Sequence, residues 1–151
     1  MHYVLSDIHG NFERYKKMIQ EIELSDSDIL YVVGDVIDWG TEPVDVIFDL
    51  MKRKNVVLLM GNHEAMMLSC RDFILNGSPD TEHEYSKKSF ELRNWLKSGG
   101  NTTLNQLYDL TRYDRQKILD YFSSALLYKV ININQKTYIL VHGGFKHFSI
   151  G

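Results

Sequence analysis

Short apolar runs alternate with amphipathic stretches along the chain, a pattern that predicts strands alternating with helices. Strands are predicted at 3–6, 28–35 and 55–62, each a nearly continuous apolar run. Residues 11–24 carry apolar side chains at helical spacing, namely Phe12, Tyr15, Met18, Ile19 and Ile22. Continuous apolar strands separated by helices indicate an α/β fold with both faces of the sheet covered.

The second half of the pattern adds helices and a hairpin. Further helices are expected at 42–54, 64–75, 84–97 and 113–123, with Thr41 as the N-cap of the first and a polar loop over 76–86. Apolar and polar positions alternate around Asn134-Gln135, which predicts an antiparallel hairpin. No linker or repeat divides the chain, so we expect one domain over 1–151.

Polar residues follow four of the predicted strands, and each of these strand ends also carries glycine. The four ends are Asp7-Ile8-His9-Gly10, Gly34-Asp35, Gly61-Asn62-His63 and His142-Gly143. Each alone is common as a turn or a helix cap. In α/β sheets, however, ligands bind beyond the carboxyl ends of the strands, and carboxylate, imidazole and amide groups together form a mixed N/O metal site. The ordered set therefore favours a metal site.

Composition narrows the classes of partner. The net charge of −3 provides no basic field for holding nucleic acid, and no apolar run is long enough to span a bilayer. The single cysteine, Cys70, excludes an intrachain disulfide and favours a reducing compartment. We expect a cytoplasmic protein that acts without nucleic acid or membrane.

The ordered motifs resemble those of the calcineurin-like metallophosphoesterases. They are Asp7-Ile8-His9-Gly10, Gly34-Asp35-Val36-Ile37-Asp38, Gly61-Asn62-His63-Glu64 and Val141-His142-Gly143-Gly144. The resemblance is strongest to bacterial and phage serine/threonine protein phosphatases, with symmetrical diadenosine tetraphosphatases nearby, and includes the stretch from Asn94 to Thr102, which contains Trp95 and the glycine pair Gly99-Gly100. It implies the metallophosphoesterase β-sheet core, part of a four-layer αββα sandwich flanked by helices, with the second sheet incomplete.

The resemblance also implies a ligand set for two divalent ions, with Mn²⁺ expected and iron or zinc as alternatives. Asp7 and His9 would hold the first ion, and Asp35 would bridge both. Asn62, through its amide oxygen, and His142 would hold the second ion.

The implied chemistry is hydrolysis of phosphate esters by a hydroxide activated between the two ions. His63 would donate a proton to the leaving group, and Asp38 would hydrogen-bond His63 and stabilise its protonated form.

Two departures from the family pattern affect these expectations. Trp39 stands where the family usually has an arginine that contacts phosphate. The family also has a later histidine that binds the second ion, and this chain ends before that motif would occur. We therefore expect an N-terminal portion of the family domain, in which His147 is a weak candidate to replace that histidine and exposed sheet edges favour self-association.

Three functions remain open at this stage. The first is a phosphomonoesterase similar to serine/threonine protein phosphatases, acting on a phosphorylated protein or a small phosphate ester. The second is a hydrolase of dinucleoside polyphosphates, which would release nucleotides. The third is an inactive module that binds metal or phosphate.

Overall fold

A parallel three-stranded sheet forms the first half of the fold. The protein is seen in a computed structural model that describes residues 1–77 and 82–144, apart from the side chains of 82–88. The strands are β1 (His2–Leu5), β2 (Ile29–Val33) and β3 (Val56–Leu59), in that order across the sheet. Tyr3 pairs with Leu30, and Tyr31 pairs with Val57. The three predicted strands are confirmed, and their carboxyl ends lie at one edge.

Helices connect these strands and continue after them. Helices α1 (Phe12–Glu21) and α2 (Pro43–Lys52) join successive strands of the sheet. The later helices are α3 (Asn62–Ser69), α4 (Arg71–Asn76), α5 (Glu82–Trp95), α6 (Asn101–Tyr108) and α7 (Arg112–Ser123). The predicted α/β class is therefore confirmed. Within the described part of the chain, no helix has the length and apolar character needed to cross a membrane.

The apolar stripe predicted for α1 faces the core. Tyr15 and Ile19 are buried, and the other three residues of the stripe pack against the core. The prediction of Thr41 as the N-cap of α2 is wrong. Glu42 occupies that position without a side-chain cap, and the helix begins at Pro43, whose fixed φ suits a first helical residue.

Two other boundaries differ from the predictions. The helix predicted over 64–75 is divided at Cys70 into α3 and α4. The predicted loop over 76–86 is too long, because α5 begins at Glu82; residues 78–81 of that loop lie outside the described residues.

The glycine pair after α5 does not end the helical region. Residues Leu96–Gly100 form one wide π-helical turn, in which Ser98 and Gly99 leave helical geometry. Helix α6, absent from the predictions, begins directly after this turn.

An antiparallel hairpin completes the described fold. Its strands are β4 (Lys129–Ile133) and β5 (Lys136–Leu140), and Asn134 and Gln135 both have positive φ at the turn, so the predicted hairpin is confirmed. Leu126, just before the hairpin, extends the three-stranded sheet by one bridge to Leu59.

The expected cover on both faces of the sheet is wrong at the edge strand β1. Val4 on this strand is 55% exposed, whereas β2 is buried along most of its length. The second strand of the hairpin stands off from β1 and leaves a cavity of about 460 Å³ between them, lined by Val4, Leu5, Ile139 and Leu140 among others.

Candidate active site

Polar side chains from all four predicted strand ends meet at the carboxyl edge of the sheet. Potential metal-ligating atoms fall into two groups, within each of which all atoms lie within 4.8 Å of one another. We call His9, Asp35 and His63 the inner cluster, and Asp7, Asp35 and His142 the outer cluster. Asp35 belongs to both, so one carboxylate joins the two clusters.

The inner cluster is the more buried of the two. Asp35 and His63 are buried, and His9 is partly buried. The Nε2 atoms of His9 and His63 each lie 3.9 Å from Oδ2 of Asp35. The main-chain N–H of His63 also donates to Oδ1 of Asp35 at 3.2 Å. The carboxylate of Asp35 is thus held with one oxygen toward helix α3 and the other toward the imidazoles.

The outer cluster lies toward solvent and depends on the segment after the hairpin. The Asp7 side chain is 55% exposed, and its Oδ1 atom lies 3.9 Å from Nε2 of His9. Nε2 of His142 lies 3.2 Å from Oδ2 of Asp35 and 3.0 Å from Oδ1 of Asn62. The amide oxygen of Asn62 therefore faces the same point as the imidazole and the carboxylate.

Main-chain carbonyls orient the imidazoles of His9 and His142. Nδ1 of His9 lies 3.0 Å from the carbonyl oxygen of Ile37, and Nδ1 of His142 lies 2.9 Å from that of Val33. A carbonyl only accepts, so each Nδ1 carries the proton and donates. In the neutral ring, Nε2 then has a lone pair that faces the Asp35 carboxylate. Two imidazole lone pairs and one carboxylate therefore face the same point. This set of nitrogen and oxygen donors fits a divalent cation.

The backbone around the clusters is held in an unusual conformation. The loops after β1 and β2 contain five non-glycine residues with positive φ: Asp7, His9, Asp35, Asp38 and Trp39. Such residues cost on the order of 1 kcal/mol or more each and occur mainly at functional sites. Hydrogen bonds between the two loops, such as the one from the His9 amide to the Asp35 carbonyl at 3.0 Å, maintain this conformation.

Asp38 forms a fully buried dyad with His63. Nδ1 of His63 donates to Oδ2 of Asp38 at 2.7 Å, which leaves Nε2 of the same ring facing the inner cluster. The same Asp38 oxygen accepts from the indole N–H of Trp95 at 2.8 Å, and the other oxygen accepts from the Thr103 hydroxyl at 2.7 Å. Three donors therefore fix the carboxylate that orients His63.

Glu64 holds the loop that carries Asp35. Its carboxylate accepts the main-chain N–H groups of Asp35 and Val36, each at 2.8 Å, and of Gly61 at 3.1 Å. Burial raises the pKa of the Glu64 carboxyl, and the hydrogen bonds from Asp35 and Val36 oppose that rise. A Cβ atom at Gly61 would approach Oδ1 of Asp35 to 2.3 Å, so this close approach requires glycine.

All seven site residues named from the sequence lie at this edge: Asp7, His9, Asp35, Asp38, Asn62, His63 and His142. Their roles as ligands or proton donor stay predictions. His147, the candidate replacement ligand, lies outside the described residues.

Sequence reasoning missed three supporting residues. Glu64 and Trp95 appeared only as parts of the family motifs, with no supporting role assigned to either, and Thr103 gave no signal.

Comparison with known proteins identifies the class. The sequence profile of the calcineurin-like phosphoesterases matches residues 3–150. The chain belongs to this family, in agreement with the motifs at its strand ends.

Similar proteins within the family carry one recurring name. The chain is 29% identical over 100 residues to the symmetrical bis(5'-nucleosyl)-tetraphosphatase of Buchnera aphidicola from Acyrthosiphon pisum (strain Tuc7), covering 63% of this chain and 36% of the relative. It is 33% identical over 69 residues to the protein of the same name from Wigglesworthia glossinidia brevipalpis, covering 44% of this chain and 25% of the relative. The chain thus spans about a third or less of the length of these relatives.

Solved structures agree on the fold. A metallophosphoesterase from Sphaerobacter thermophilus superposes with a TM-score of 0.55 at 17% identity, covering 87% of this chain and 43% of the other. A structure provisionally described as a diadenosine tetraphosphatase gives a TM-score of 0.62 at 19% identity, covering 95% of this chain and 50% of the other. At these identities the likeness concerns the fold alone.

Proposed function

We propose that this chain carries the metal-binding part of a phosphoesterase centre that hydrolyses dinucleoside polyphosphates. The observation that carries the proposal is the orientation of His9 and His142, whose Nε2 lone pairs both face the Asp35 carboxylate. Residues 1–151 would form one metallophosphoesterase unit, the N-terminal portion of a longer catalytic domain. The alignment with the Buchnera relative covers only 36% of that protein, which supports the assignment of this chain to one portion of a longer domain.

Two divalent ions would bind among the residues of the two clusters, with His63 left free of metal as the proton donor. Asp7, His9 and Asp35 would hold one ion, and Asp35, Asn62 and His142 the other. Ions bound there would supply positive charge that polarises a phosphoryl group and activates water. Carboxylate, imidazole and amide donors suit several first-row metals, so Mn²⁺ is the first ion to test and iron and zinc follow.

His63 would act on the leaving group. Its Nδ1 is committed to Asp38, so the proton to be donated resides on Nε2, which faces the inner cluster. The buried carboxylate of Asp38 holds the ring in place, and the Nε2 proton would pass to the oxygen that departs from phosphorus. The Asp38–His63 pair also argues against an inactive module, because binding alone needs no oriented proton donor.

The substrate class rests on similarity. The relatives quoted above are named for hydrolysis of bis(5'-nucleosyl) tetraphosphates, which favours the second function considered from the sequence over the protein phosphatase.

The experiment is hydrolysis of diadenosine tetraphosphate by the 151-residue chain with added Mn²⁺, followed by separation of the nucleotides. Symmetrical cleavage gives ADP as the sole nucleotide product. A phosphorylated peptide and an aryl phosphate, assayed in parallel for phosphate release, test the protein phosphatase.

Matched histidine variants provide the control. His63→Asn should lower the rate by about 10²–10⁴-fold, the usual contribution of a general acid. His2→Asn alters a histidine at the opposite end of β1 and should leave the rate unchanged. Phosphate release from the peptide without ADP formation would overturn the substrate class. Equal rates in both variants would overturn the role of His63.

A further inference from the structure

Trp39 presents a large aromatic surface to solvent directly beside the candidate active site. It follows Asp38 in sequence, and the residue is 61% exposed, whereas Trp95, the other tryptophan, is fully buried. The centroid of its ring lies 6.5 Å from that of His63, the proposed proton donor. An exposed indole so close to reacting groups is placed to contact what the site binds.

The fold fixes the orientation of this ring. Trp39 has a φ of +62°, and its main-chain N–H donates to the carbonyl of Gly99 at 3.2 Å. The ring packs directly on Gly99, since a Cβ atom there would come within 2.5 Å of it. One part of the ring is therefore supported by the π-helical turn while the rest stays open. A ring that is already fixed in the free protein loses little conformational entropy when it binds a ligand.

The ring lines a cavity that begins at the metal-ligating residues. The cavity has a volume of about 820 Å³, which is within the range of small-molecule sites. Asp7 and His9 lie on its wall, as do Arg14 and Lys17 from helix α1. One cavity thus combines candidate metal ligands, an oriented aromatic surface and two cationic side chains, of which Lys17 pairs with Glu21 of the same wall at 4.0 Å.

We infer that this cavity binds the nucleotide part of the substrate, with the base stacked on Trp39 and the phosphates near Arg14 and Lys17. A planar base has a π-face that matches an indole, and phosphate matches the two cations. This inference rests on the proposed function and deepens it, because it names the group that the enzyme would recognise. Trp39 would be a specificity-determining residue and take no part in proton transfer.

The test compares ligands with and without a base. ADP, phenyl phosphate and inorganic pyrophosphate are titrated calorimetrically, with excess Mn²⁺, into the wild-type chain and into Trp39→Phe, Trp39→Leu and Tyr113→Leu. Tyr113 is a matched control, because it is 67% exposed on α7 and absent from the cavity lining. In the wild type, a change in tryptophan emission on ligand addition also reports stacking on Trp39, because Trp95 is buried and out of contact with the ligand.

Trp39→Leu should weaken ADP binding by about 10- to 100-fold, the usual range for loss of one base–aromatic stack, and leave pyrophosphate binding unchanged. Trp39→Phe should restore most of the ADP affinity, and Tyr113→Leu should behave as the wild type. Unchanged pyrophosphate binding also shows that the leucine variant is folded around the site.

Two outcomes would overturn the inference. Equal affinities for ADP in the wild type and Trp39→Leu would show that the base does not stack on Trp39. An equal loss for phenyl phosphate would reassign the cavity to an aryl group. Neither outcome depends on turnover, so hydrolysis of diadenosine tetraphosphate that survives Trp39→Leu unchanged would leave the proposed function intact while the inference fails.

Discussion

The inner and outer clusters share one carboxylate but differ in how the fold supports them. The inner cluster lies between loops of the parallel sheet and the start of α3, and its residues are fixed by buried hydrogen bonds that they donate to the carboxylates of Glu64 and Asp38. The outer cluster combines the exposed Asp7 with His142, whose described hydrogen bond to the fold reaches Val33, 109 residues earlier. One cluster is formed by the parallel sheet and α3 alone, and the other also needs His142 from the segment after the hairpin.

This difference suggests that the two clusters contribute differently to stability and to ion binding. Changes that loosen the inner cluster should affect both folding and chemistry, because the same buried groups serve both. Changes in the outer cluster should affect ion binding with little effect on stability. The predictions below test this separation.

The largest effect is expected at the shared carboxylate. Asp35→Asn removes the charge that both Nε2 lone pairs face, so Mn²⁺-dependent hydrolysis should fall by at least about 10³-fold, or about 4 kcal/mol in the activation free energy. Asp45→Asn, at an exposed position in the first turn of α2, is the matched control and should retain activity. Comparable rates for the two variants would show that Asp35 does not link the clusters.

The next effect concerns the support of the inner cluster. Glu64→Gln places an amide NH₂ against main-chain N–H groups that now donate to a carboxylate, so the free energy of unfolding should fall by about 2–3 kcal/mol. Glu13→Gln, exposed in α1, should stay within about 0.5 kcal/mol of the wild type. Urea denaturation measures the free energy of unfolding of both variants. Equal denaturation midpoints would show that Glu64 does not stabilise the site.

A smaller effect is expected for the dyad. Thr103→Val keeps the side-chain shape but removes the hydroxyl that donates to the Asp38 carboxylate and accepts from the Asp38 amide. We expect a roughly 10-fold lower kcat, because the His63 ring is less well oriented. The control Thr102→Val changes the adjacent threonine. A loss of stability with an unchanged kcat would make Thr103 purely structural.

The smallest effect on stability is expected in the outer cluster. His142→Ala removes one hydrogen bond to Val33 from a partly exposed segment, so the free energy of unfolding should change by about 1 kcal/mol or less. Urea denaturation beside Glu64→Gln gives the direct comparison. Equal destabilisation by the two variants would contradict the proposed difference between the clusters.

The sequence predicted the clusters better than their supports. Asp7, Asp35 and Asn62 each follow a strand of the parallel sheet. Because the carboxyl ends of parallel strands lie at one edge of a sheet, the sequence alone predicts that these residues lie close together. Thr103 escaped prediction because α6 follows a glycine pair that normally ends a helix, and its contact with Asp38 joins residues 65 positions apart.

The histidine orientations could not be predicted for a similar reason. They depend on which main-chain carbonyl lies beside Nδ1, and the carbonyls of Ile37 and Val33 carry no signal in the sequence. The exposed face of β1 was missed because a continuous apolar run does not reveal that its strand lies at the edge.

The most direct test of the central claim is the number of Mn²⁺ ions bound at saturation, measured by equilibrium titration of the wild-type chain and of His142→Ala. The account predicts two ions for the wild type and one for the variant, held by Asp7, His9 and Asp35. No bound Mn²⁺ in the wild type, or the same number in both proteins, would contradict it.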